Sequence, residues 1–296
     1  MRASLAVALA CLAPGSAAAF ECSVVDDCDE TDLACRLDSL TVGWNQRCIP
    51  VWVHAGDPLF GSEAGQALVR AAFDRWTAEV DCTDMEIVFV GTTSDRSGFD
   101  SSEPDRQTNV VLATRDRSEL ELAGPEVIGL TLSSFSPETG EIFDADILLN
   151  LNAAEFVQVE EDTAACASPT PLQPWDIENT LVHEVGHFLG FDHVSDEQAT
   201  MYAFSPPCEV QKRDLAPDDV AAVCSVYPVG EPVRTCRPPM SYALARGDPS
   251  TLRNQCERAL DEGCGCRTRS GQDVGGVLPV GLGLALWLGF RRRRRR

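Results

Sequence analysis

Apolar residues recur every four positions between residues 62 and 80: Ala64, Leu68, Ala72, Trp76 and Val80, with Val69 and Phe73 widening the stripe. That period predicts an amphipathic helix, and Ser62 stands where a side-chain oxygen can cap its first turn. Upstream, CIPVWVHA at 48–55 alternates and is rich in β-branched residues, so it predicts a strand. MEIVFV at 85–90 and NVVLA at 109–113 predict two more short strands. Segments 127–135 and 142–151 flank the turn signal PETG at 137–140 and predict a pair of adjacent strands. A second helix is expected from about 176 to 189. A third, at 216–227, carries Asp218 and Asp219 near its N-terminus, where the helix dipole favours negative charge. This order predicts an α/β (α+β) domain: a twisted mixed sheet of five strands with three main helices.

The two ends break that pattern. Residues 1–19 combine Arg2, an apolar run from Leu5 to Leu12 and a small-residue site at 17–19, which predicts a secretory signal peptide. At the other end, 274–290 is apolar and uncharged, and six arginines follow it. As a helix it would reach about 26 Å, the short end of a membrane span, with the arginines on the cytoplasmic side. The ordered pattern of Cys264-Gly-Cys266, a small-residue spacer, a glycine-rich apolar stretch and terminal arginines resembles the MYXO-CTERM sorting tail. That resemblance implies a surface protein of a myxobacterium-like Gram-negative cell, with processing near Cys264 or Cys266. The membrane would be met only through this tail.

Between the ends, the expected organisation is a short Cys-rich lead-in at 20–47, the main domain at 48–228, and a small extension at 229–266 holding Cys236 and Cys256. Setting aside Cys11, Cys264 and Cys266, ten of the thirteen cysteines remain, an even number that suits up to five disulfides in an exported chain. The chain is strongly acidic, with a formal net charge of −22 even with the tail arginines included, and this disfavours nucleic acid as a partner. Lys212 is its single lysine. Asp144 and Asp146 read as solvated carboxylates, with calcium binding as the alternative.

Three of the four histidines lie in one stretch, HEVGHFLGFDH at 183–193. His183 and His187 are four apart on the second helix, so both imidazoles project from one face. Glu184 is turned about 100° away and suits a general base rather than a ligand. Gly190 is the residue type that leaves a helix easily through a left-handed conformation, which lets His193 return as a third ligand. Three neutral imidazoles with an open fourth position describe a catalytic zinc site. Met201 follows eight residues after His193.

On these residues the chain resembles the metzincin zinc peptidases, and among them the matrixins, over about 48–227. The resemblance implies a metzincin-like catalytic domain with zinc in the cleft below an edge strand. His183, His187 and His193 would be the ligands, Glu184 the base acting on a zinc-bound water, and Met201 the turn residue beneath the zinc. The edge strand, placed at 142–151 with Ile147, Leu148 and Leu149 at its centre, would pair with an extended substrate. Segment 203–208 would line the pocket for the side chain after the cut bond, with Tyr202, Ala203 and Phe204 as the residues that meet the substrate. The implied activity is that of an exported zinc endopeptidase, acting on polypeptides as a monomer. The alternative is a zinc-containing surface binding or structural protein with negligible turnover. His54, the remaining histidine, reads as an ordinary strand residue, and 20–47 lacks the pattern of the family's inhibitory pro-segment.

Overall fold

A computed structural model describes residues 20–24, 41–98, 108–121, 123–124, 126–159, 166 and 172–230, together with a strand at 281–288. The leader, the Cys264 and Cys266 pair and most of 229–280 lie outside the described residues.

The predicted elements form close to their expected places. Strand β1 is Cys48–His54, helix α1 Glu63–Trp76, β2 Glu86–Thr93, β3 Val110–Thr114, β4 Val127–Phe135 and β5 Ile142–Asn150. Two three-residue strands, β6 (Glu155–Val157) and β7 (Pro174–Asp176), pair in parallel ahead of helix α2 (Ile177–Phe188). Helix α3 is Pro217–Val226. Ser62 caps α1 as expected, accepting from the Gly65 amide at 3.1 Å. The apolar period continues to Val80, but the helix stops at Trp76, where the Thr77 hydroxyl turns back to the Phe73 carbonyl at 3.1 Å.

In the main sheet β2, β1, β3 and β5 are mutually parallel, and β4 runs antiparallel to β5. Alternation along the pleat divides the side chains between two faces. Val111, Ala113, Ile147 and Leu149 join α1 and α2 in the larger core, while Val110, Leu112 and Leu148 pack with Leu120, Val127 and Leu130 opposite. Buried rings lock the helices by single hydrogen bonds: Trp76 Nε1 donates to the Val182 carbonyl (2.8 Å) and Trp44 Nε1 to that of Phe188 (2.7 Å).

This topology corrects the expected edge. Strand β5 is paired on both sides, by β3 and β4, and Ile147, Leu148 and Leu149 are fully buried, so none can meet a substrate. Among the domain's own five strands the outer two are β2 and β4, and β4 is the one beside β5. A sixth strand, β8 (Gly281–Leu288), lies antiparallel along its other side. Residues 281–288 of the tail segment expected as a helix are therefore extended here, and no helix among the described residues is long and apolar enough to cross a membrane.

Two disulfides are present among the described residues. Cys82–Cys224 ties the chain after α1 to α3, and Cys166–Cys208 ties the segment before β7 to the loop after Met201. The lead-in also makes backbone contacts: Ser23 donates to the Gly190 carbonyl (2.9 Å) and Asp192 to that of Glu21 (3.0 Å).

Candidate metal centre

Helix α2 begins at Asp176, whose carboxylate accepts from the Asn179 amide at 2.7 Å, and ends in a left-handed turn. Gly190 has φ +89°, and the amides of Phe191 and Gly190 close on the carbonyls of Gly186 and His187 at 3.0 and 2.9 Å. These two bonds are the Schellman pattern, which satisfies the last helical carbonyls. A Cβ on Gly190 would lie 2.4 Å from the Val42 carbonyl oxygen, so the position needs glycine for space as well as conformation. The turn delivers His193 back to the helix face.

His183, His187 and His193 converge as the spacing predicts. Each offers one ligand atom, and these atoms all lie within 4.8 Å of one another. Nδ1 of His183 faces the Thr200 carbonyl at 2.6 Å and Nδ1 of His187 that of Phe191 at 2.8 Å. A carbonyl only accepts, so both Nδ1 atoms carry the proton and both Nε2 atoms present a lone pair. Nε2 of His187 meets Nε2 of His193 at 3.1 Å. Burial holds all three imidazoles below their ordinary range, His193 down to about 2. Neutral, buried, convergent nitrogens of this kind fit a borderline-soft divalent cation such as zinc.

Glu184 is fully buried beside them. Its Oε2 accepts from the Thr131 hydroxyl at 2.7 Å, while Oε1 is buried with no hydrogen-bond partner. Burial pushes the carboxyl up to about 8, against the lowering effect of the Thr131 hydroxyl. A divalent cation nearby would draw it down again. The result is a buried carboxyl with one oxygen that has no hydrogen-bond partner.

Met201 lies against Gly186 of α2, where a Cβ added to the glycine would come within 2.1 Å of the Met201 Sδ. Its turn is held by Asp219, which accepts from the amides of Thr200 (2.8 Å) and Met201 (3.2 Å) and from Ala216 (2.9 Å). Tyr202 and Ala203 are half-buried next in sequence, and Phe204 is 40% exposed.

Asp144 and Asp146 depart from expectation, being 2% and 1% exposed rather than solvated. Asp146 accepts from the amides of Val110 (2.8 Å) and Gly98 (2.7 Å), and burial raises it to about 7. Burial and the neighbouring Asp146 raise Asp144.

The spacing argument missed Thr131 and Gly129, which sit on β4 and meet Glu184 only through the tertiary fold. A Cβ at Gly129 would stand 2.3 Å from Glu184 Oε1. We expect Gly129→Ala to fold and to take up zinc as the unaltered chain does, because a flexible carboxylate can swing aside, but Glu184 leaves its place. Displacements on the ångström scale cost about 100-fold in rate, and kcat/KM measured beside zinc content checks this.

Comparison with known proteins gives a consistent picture. A family model described as Matrixin matches residues 43–228. The chain is 30% identical over 166 residues to metalloendoproteinase 1-MMP of Arabidopsis thaliana, covering 56% of this chain and 38% of that protein. It is 29% identical over 164 residues to metalloendoproteinase 1 of Glycine max, covering 55% of this chain and 45% of that protein. The chain thus spans less than half the length of these relatives.

Proposed function

The chain belongs to the matrixin family, and from that premise we propose that it is an exported zinc endopeptidase with Glu184 as general base. One observation carries the reading: three imidazole donors converge beside a buried carboxylate whose Oε1 has no other partner.

Zinc held by His183, His187 and His193 would supply Lewis acidity, making water more acidic and polarising the scissile carbonyl. Glu184 Oε1 takes the proton of the attacking water and then passes it to the leaving amine. Thr131 holds Oε2 throughout, so the carboxylate turns one oxygen to the reaction. Segment 202–204 receives the side chain that follows the cut bond. An extended substrate adds to β4 rather than to β5, and β8 must yield that ladder first. The leader, the tail and the polypeptide substrate complete the reading of a surface or secreted enzyme acting as a monomer.

The test is a mixed peptide library incubated with the full chain and with residues 20–263, each with and without chelator, and read by mass spectrometry. New termini that vanish on chelation are expected, sooner with the shorter chain. A protein that binds zinc and produces none is the surface binding protein instead.

A further inference from the structure

The chain has a single lysine, and the fold buries it. Lys212 is 1% exposed, in the short 3-10 turn Gln211–Arg213. An ammonium group is strongly hydrated and seldom fully buried unless its partners repay the lost water. Its Nζ donates to the carbonyls of Tyr202 and Phe204, both at 2.8 Å, and lies 3.7 Å from Glu209 Oε2. It also sits 5.6 Å from the centre of the Tyr202 ring.

These two carbonyls belong to residues i and i+2 of the segment that leaves the Met201 turn. On its N-terminal side Asp219 holds the amides of Thr200 and Met201. On its C-terminal side Cys208 is fixed by its disulfide to Cys166 and by the hydrogen bond its amide donates to the Pro174 carbonyl at 3.1 Å. Lys212 is the grip between those ends.

The turn that carries the lysine is itself anchored to the start of α2. The Lys212 amide donates to Asn179 Oδ1 at 2.7 Å, and Arg213 Nε to Asp176 Oδ1 at 2.8 Å. Helix α2 and the segment beside it are thus joined through the Lys212 side chain, alongside a direct bond from Asn179 Nδ2 to Ser205 Oγ at 3.3 Å.

We propose that Lys212 is a positioning residue for substrate selection: its buried ammonium fixes the carbonyls of Tyr202 and Phe204 and so sets the wall that receives the side chain after the scissile bond. This rests on the peptidase reading above. Lys212 touches neither substrate nor metal in this role. It acts through the backbone, holding the surface made by Tyr202, Ala203 and Phe204 in one shape. Lys212 is not one of the three imidazole ligands, but its charge bears on His183 and His193, so zinc is kept saturating in every assay and the chemical step should then change little.

The experiment uses the zinc-loaded full chain as wild type, Lys212→Met and Lys212→Gln. Each is given a peptide series differing only at the residue after the cut bond, and zinc per chain and melting temperature are recorded alongside. In Lys212→Met we expect one zinc per chain, kcat within about 3-fold of wild type, and a rise in KM for the best substrates. The spread of kcat/KM between best and poorest side chains should shrink at least about 5-fold, since pocket fit of this kind is worth about 10- to 200-fold. Lys212→Gln keeps an amide donor and serves if the apolar variant does not fold; it must show the same flattening. A variant that loses melting temperature yet ranks the peptides as wild type does would overturn the proposal, leaving Lys212 as a structural strut. A wild type that binds zinc and cuts nothing overturns the peptidase reading instead, and this inference with it.

Discussion

Glu184→Gln should retain one zinc per chain and lose at least about 1,000-fold in kcat/KM. General-base transfer contributes about 100- to 10,000-fold in rate. The substitution removes the base while preserving the shape of the side chain. The glutamine carbonyl can still accept from the Thr131 hydroxyl, which lies 2.7 Å from Oε2. Its amide group then occupies the Oε1 position and offers N–H donors where the reaction needs an acceptor. The fold should be no weaker, because a neutral amide is easier to bury than a carboxylate. Peptide turnover, zinc content and melting temperature on one preparation decide the matter. Turnover near that of wild type would show that Glu184 is not the base.

Zinc removal should abolish turnover and also weaken the fold. His183 and His187 lie within α2, and His193 follows the turn that Gly190 makes, so a cation bound by all three would tie that turn to the helix. A ligand that binds only the folded chain, at 100 to 1,000 times its dissociation constant, stabilises it by about 3–4 kcal/mol. For a domain of this size that is roughly 6–16 °C in Tm. Chelator should therefore lower the melting temperature by about that amount, and added zinc should restore both Tm and activity. His193→Ala should behave like the chelated protein, with turnover lost and little further effect of chelator. Undiminished activity in His193→Ala would remove it from the ligand set.

Much of the site is local in sequence, and that part was legible. A four-residue interval on a helix places His183 and His187 together whatever the rest of the fold does. Gly190 marks the exit because few other residues accept φ +89°. The strands and helices follow from apolar period for the same reason. Sheet order does not. The turn at 137–140 shows that β4 and β5 are neighbours, but not which lies outside. A better sign is ILL at 147–149, a short apolar run of the kind found in a strand buried on both faces.

Charge misled where the backbone compensated it. A carboxylate such as Asp146 is ordinarily solvated, yet the Gly98 and Val110 amides receive it inside. Gly129 and Thr131 carry no local signal at all, standing more than fifty residues from the glutamate they position. Length and hydropathy alone predict a helix in the tail segment. Gly275, Gly276, Gly281, Gly283 and Gly289 lower helix propensity throughout it, and part of it is a strand here.

The central claim is that three imidazoles hold one zinc and leave a position open for chemistry. X-ray absorption at the zinc edge of the loaded chain tests it most directly. The account predicts one zinc per chain, three imidazole nitrogens at about 2.0–2.1 Å and one further light-atom ligand. A sulfur shell at about 2.3 Å, the sign of a cysteine thiolate closing the site, would contradict it, as would a chain that takes up no zinc.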